Sequence, residues 1–127
     1  MVRASLTVYE IRRRLHVRYL KWRTELQRET AIEYLDALAP ELEAYGWRCV
    51  RTYYPEVIPV RPPLLRVYGE LGPVTTLNVM AVPGGRWGFH EAARGRRGFL
   101  SPCEGDIKGA AEGIDHFLRA RAARSIS

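Results

Sequence analysis

The sequence predicts an α+β fold. It reads as a two-layer domain, an antiparallel β-meander of about four strands flanked by helices, with a basic amphipathic helix at the N-terminus. Three observations predict it. Apolar residues recur in steps of three and four as far as Tyr45, and the period falls to two after Gly46. Pro83-Gly84-Gly85 stands between two strand-like stretches as a hairpin signal. Helical spacing returns after Asp106, with Ile107, Ala110, Ala111, Ile114, Phe117 and Leu118 on one face.

The first predicted helix covers residues 7–28. Thr7 and Glu10 form a capping box, and Val8, Ile11, Leu15, Tyr19, Trp22 and Leu26 follow as one apolar stripe. Arg14, Arg18, Lys21 and Arg28 run beside it. Thr30 with Glu33 makes a second capping box and predicts a break near Glu29. Nothing from Leu6 to Ala39 is Gly or Pro, so one helix over residues 7–45 fits as well. The next helical stretch buries Ile32, Leu35, Leu38 and Leu42. Pro40 predicts a kink in it, and Gly46 suits the left-handed residue that ends it.

Aromatic and β-branched residues mark a strand at Trp47–Tyr54. Four prolines between Pro55 and Pro63 predict an extended connection outside any ladder. Further strands are expected at Leu64–Tyr68, Val74–Val82 and Arg86–Glu91, with a turn at Gly69–Pro73. Ala92–Gly98 reads as a glycine- and arginine-rich loop, and Phe99–Leu100 as a short fifth strand. Asp106 is the expected cap of the closing helix. The division into domains is then an arm over residues 1–29 and an α-β-β-β-β-α domain over residues 30–127.

Alternation sorts the strand residues. Leu65, Val67, Leu77, Val79, Ala81, Trp87 and Phe89 suit the core. Arg66, Tyr68, Thr76, Asn78, Met80, Arg86, Gly88 and His90 fall on the other face. Of these, Arg66, Tyr68, Asn78, Arg86 and His90 are candidates for holding a planar ligand or bases.

Charge is segregated along the chain. Residues 1–28 carry eight bases and two acids, residues 29–45 five acids and no base, and residues 46–102 eight bases and three acids. The net charge is +6, and eighteen of the twenty bases are arginine. Arg12, Arg13, Arg14, Arg18 and Lys21, with Arg94, Arg96 and Arg97 of the loop, are candidate contacts for nucleic acid or another anion. The same N-terminal bases could lie on an anionic membrane surface, or pair with the acidic stretch of a second copy.

Several classes are disfavoured. No apolar run approaches the ~20 residues of a membrane span, and the N-terminus lacks a secretory pattern, so a cytoplasmic protein is expected. Cys49 and Cys103 lack metal spacing and read as reduced, buried thiols. His16, His90 and His116 lie on three separate elements. Adjacent pairs such as His90–Glu91 point to opposite faces of a strand. Neither a metal nor a cofactor is predicted, and no catalytic constellation stands out. Nothing resembles a helix-turn-helix.

The stretch from Gly46-Trp47 through Pro63-Leu64-Leu65-Arg66-Val67 and Arg86-Trp87-Gly88-Phe89 to the Ala-rich closing helix resembles small uncharacterised actinobacterial proteins. Some of those are encoded beside helix-turn-helix regulators. The resemblance covers about residues 31–120 and implies an accessory regulatory role without an activity.

The expected function is a non-enzymatic interaction module that self-associates, most simply as a dimer. Ile11, Leu15, Tyr19, Trp22 and Leu26 would form the interface, with Arg–Glu pairing setting orientation. A nucleic-acid-binding accessory protein is the second expectation, and a small-ligand-binding sheet face the third. An acidic protein is a further candidate partner.

Overall fold

The computed structural model describes residues 27–53 and 62–126. Residues Ala31–Ser127 form one unit, separate from residues 1–30. The predicted N-terminal stripe and its basic neighbours up to residue 26 lie outside the described residues.

The first described helix, α1, is helical over residues 27–44 without interruption. Thr30 is therefore inside the helix and does not cap it. Pro40 also sits within α1, which continues on either side of it. Leu38, Ala39 and Leu42, which flank it, are all fully buried, and their packing holds the helix through a position lacking one N–H donor. The helix ends in a Schellman motif: Trp47 N–H donates to the Leu42 carbonyl and Gly46 N–H to that of Glu43. Gly46 takes φ +101°, a conformation costly for any residue with a Cβ.

Five strands follow, in the spatial order of the sequence: β1 (Arg48–Thr52), β2 (Leu64–Gly69), β3 (Gly72–Val82), β4 (Arg86–Glu91) and β5 (Phe99–Pro102). All pairs are antiparallel, making an open meander. Glu70 and Leu71 turn β2 into β3, and Pro83-Gly84-Gly85 turns β3 into β4 with both glycines at positive φ. The expected Ala92–Gly98 loop is instead a 3-10 segment, broken by a non-helical Gly95. The closing helix α2 spans Ile107–Ile126.

Both helices lie on one face of the sheet. From α1, Ala31, Leu35, Leu38, Ala39 and Leu42 meet Leu65, Val67, Leu77, Val79 and Phe89 of the strands. From α2, Ala110, Ala111, Ile114 and Leu118 complete that core. Ala81, expected inside, is exposed. It lies one residue before the end of β3, next to the hairpin, where no helix residue of the core reaches it. Trp87, its cross-strand partner, is half-buried against the core edge.

Asp106 caps α2 as predicted: its Oδ1 accepts from Lys108 N–H at 3.0 Å, and its carbonyl accepts from Ala110 N–H. Asp106→Ala is expected to cost about 1 kcal/mol, and Asp106→Asn much less, because asparagine caps nearly as well. Thermal unfolding of the two variants checks this: similar midpoints would contradict a capping role.

Candidate functional site

The two faces of the sheet differ in how charge is handled. On the helix-covered face every ionised strand residue has a partner. Arg51 Nε donates to Asp36 Oδ1 at 2.9 Å, joined by the Tyr53 hydroxyl at 3.1 Å. Glu91 accepts from Thr75 Oγ1 at 2.8 Å and from Arg121 Nε at 3.1 Å. Burial opposes ionisation of Glu91, but the hydrogen bonds from Arg121 and Thr75 outweigh it and hold the carboxyl below its usual range. Asp115 of α2 is alike. Burial works against its charge, while Trp47 Nε1–H at 2.8 Å and the Arg119 guanidinium lower its pKa overall. These are structural pairs that join helices to strands.

Both thiols have pKa values raised above the ordinary one. Burial, reinforced by Glu43, pushes Cys49 up to about 11, and burial with Glu104 pushes Cys103 up to about 12. Among the described residues no group of three His, Cys, Asp or Glu side chains could hold a metal ion.

The outer face is built otherwise. The ladder pairs put Arg48 and Val50 of β1 beside Tyr68 and Arg66 of β2. They set Asn78, Met80 and Val82 of β3 beside His90, Gly88 and Arg86 of β4. His90 in turn faces Phe99 of β5. Every strand residue on this face with a permanent charge is an arginine: Arg48, Arg66 and Arg86, all exposed. Aromatic and soft apolar groups lie among them. The Arg48 guanidinium is 5.0 Å from the centre of the Tyr68 ring, and Val50 and Phe99 are 39% and 47% exposed.

At the β4–β5 edge this face opens into a groove of about 800 Å³. Val82, Arg86, His90 and Phe99 line it, with Trp87 of the hairpin and Arg96 of the 3-10 segment. No acidic residue contributes to its wall. Phe99 lies over Gly88: a Cβ there would come within 2.6 Å of the ring. A glycine in a strand interior often marks such a close approach, and here an aromatic ring from the next strand fills the gap. A bulge between Phe89 and His90 brings the Phe99 ring edge-on to the imidazole, centroids 5.5 Å apart.

Asn78 and His90, expected on the outer face, are there but buried, at 8% and 2% exposure. Phe99 and the bulge close over His90 in a way that alternation alone does not reveal. The His90 Nδ1–H donates to the Gly88 carbonyl at 2.8 Å. Asn78 Oδ1 is buried with no hydrogen-bond partner.

The structure thus brings Arg86 and His90 of the predicted ligand face together with Arg96 of the predicted anion contacts. Arg66 and Tyr68 share the face but not the groove. The three loop arginines part company: Arg94 acts on Glu91, Arg96 lines the groove, and Arg97 is exposed on the same segment. Ile11, Arg12, Arg13, Arg14, Leu15, Arg18, Tyr19, Lys21, Trp22 and Leu26 lie outside the described residues. Sequence reasoning missed Phe99, whose signal was an isolated aromatic on a short strand after Gly98, with the interior glycine of Trp87-Gly88-Phe89 awaiting a partner.

A second groove, of about 610 Å³, lies at the other end of β3, between the β2–β3 turn and α2. Tyr45, Trp47, Leu71 and Arg119 line it. Among the described residues no helix is long and apolar enough to cross a membrane. The chain matches no protein-family model, no curated protein and no solved structure.

Proposed function

We propose that this protein is a non-enzymatic binding module whose outer sheet face takes single-stranded nucleic acid. One observation carries the reading: that face mixes exposed arginines with Tyr68, Met80 and Phe99 and holds no acidic strand residue, whereas the opposite face pairs each of its charges. Arginines neutralise phosphates, and exposed rings stack on unpaired bases. An open sheet face with exposed arginines and rings suits the stacking of unpaired bases. The buried carboxylates are committed to Arg121, Thr75, Trp47 and Arg119, which favours binding over catalysis.

Fluorescence anisotropy with a labelled single strand of mixed sequence tests this. Log affinity is expected to fall linearly with log salt, with a slope of about −2 if three phosphates are neutralised. Arg66→Ala and Arg86→Ala, both at exposed positions, should each flatten the slope by about 0.7. No binding at about 50 mM salt, where the electrostatic contribution is large, would end the reading.

Self-association is a second reading, favoured by the outward stripe of α1. Glu33 and Glu43 are exposed there, a complement for the basic residues 12–28 of another copy. Light scattering at micromolar concentration would detect a dimer, and a monomer at every concentration would count against it.

A further inference from the structure

We infer that the groove between β4, β5 and the 3-10 segment is a small-ligand site for an aromatic ring that carries an anionic group, the chemistry of a nucleoside monophosphate. Its volume of about 800 Å³ falls within the ~300–1,000 Å³ of small-molecule sites. Its wall follows their pattern too, mainly apolar with a few polar groups. Val82, Pro83 and Pro102 supply apolar surface, and Trp87 and Phe99 supply rings.

Two guanidiniums supply the charge. Arg86 opens β4 and Arg96 belongs to the 3-10 segment, so two separate elements bring a cation to one groove. Arg51, Arg119 and Arg121 each bind a carboxylate, whereas among the described residues neither Arg86 nor Arg96 has such a partner. Glu104 reaches this hairpin, but it accepts from the Trp87 backbone N–H at 2.8 Å and does not line the groove. Exposed guanidiniums in a wall without an acid are suited to phosphate or carboxylate.

The stacking ring is held in place before any ligand arrives. Phe99 fills the space of the missing Gly88 Cβ, which would lie 2.6 Å from the ring. The His90 imidazole meets Phe99 edge-on, with centroids 5.5 Å apart. Its 47% exposure leaves surface on which an incoming ring can stack. Fixing that ring in advance spares the entropy of ordering it on binding.

The site does not depend on the sheet taking a strand, and its test is separate. Calorimetric titrations at about 50 mM salt, where screening is weak, use adenosine monophosphate (AMP) and adenosine. AMP is expected to bind with submillimolar affinity, about tenfold or more above adenosine, which lacks the charge. Arg86→Ala and Arg96→Ala should each weaken AMP about fivefold and flatten its salt dependence. Phe99→Ala should weaken AMP about tenfold and leave the salt dependence as it was. All three side chains are exposed and outside the core, so thermal melting should show the variants folded.

Equal binding of AMP and adenosine would overturn the site. So would no binding at millimolar AMP, or wild-type affinity in all three variants. A labelled single strand tells the two sources of such a group apart. Its displacement by AMP places a nucleotide of the strand in the groove, and AMP binding without displacement assigns the groove to a free mononucleotide. AMP binding with no strand binding ends the platform and upholds the site, and strand binding without AMP binding does the reverse.

Discussion

Phe89→Ala is expected to lower the unfolding free energy by about 4 kcal/mol, the cost of a large cavity in a close-packed core. Phe89 is fully buried on β4, opposite Val79, and meets the Tyr34 ring of α1 edge-on at 6.5 Å and 84°. It therefore ties the first helix to the sheet, and the void left behind touches residues already packed on all sides. A domain of this size has a total stability of roughly 5–15 kcal/mol, so the variant would be marginal and its melting point roughly 20 °C lower. Urea unfolding checks it through the midpoint at unchanged slope. A loss below about 1 kcal/mol would mean that the core around Phe89 is looser than its burial indicates.

Glu91→Ala is expected to cost about 2 kcal/mol, because a buried carboxylate loses its charge-assisted hydrogen bonds from Arg121 and Thr75. The side chain of Glu91 is 5% exposed and that of Arg121 is 32%, so the guanidinium stays hydrated and adds little to the cost. Thr75 also loses its acceptor. The pH dependence has a definite sign. Glu91 and Asp115 have folded-state pKa values below their ordinary ones, so each contributes stability that is present above the unfolded-state pKa of about 4. That stability is lost as pH falls through the folded-state value. The wild-type protein should therefore weaken in acid, and Glu91→Ala should weaken less steeply because one of the two groups is gone. Parallel acid unfolding curves for the two proteins would show that Glu91 is not linked to folding in this way.

Much of the fold was legible along the chain. Leu35, Leu38 and Leu42 show the buried stripe of α1 by spacing alone, and Gly46 and Asp106 terminate and start helices through contacts with residues two to five positions away. The hairpin at Pro83-Gly84-Gly85 is equally local. α1 runs on through Pro40, where burial of Leu38, Ala39 and Leu42 offsets the loss of one backbone donor. Ala81 is where the local pattern misled. Its position in the alternation was right for the core, but β3 by then has run beyond the helices that would cover it.

The candidate site was legible only in part. Arg66, Tyr68, Asn78, Arg86 and His90 follow from period-two alternation, which depends on near neighbours and so is written in the sequence. Their grouping is not. Which of them share a groove depends on a bulge between Phe89 and His90, on Phe99 settling over Gly88, and on the 3-10 segment delivering Arg96. These contacts join residues about ten positions apart through a ladder register that no short window contains.

Sequence by itself determined the order of elements, the side of each strand that meets the helices and the basic character of the other side, because side-chain periodicity and capping act over a few residues. Tertiary structure alone decided that His90 and Asn78 are buried, that one acceptor is left unpaired and that Arg86 and Arg96 line one groove. Those outcomes turn on register and close packing between strands, where a shift of one residue moves a side chain to the other face.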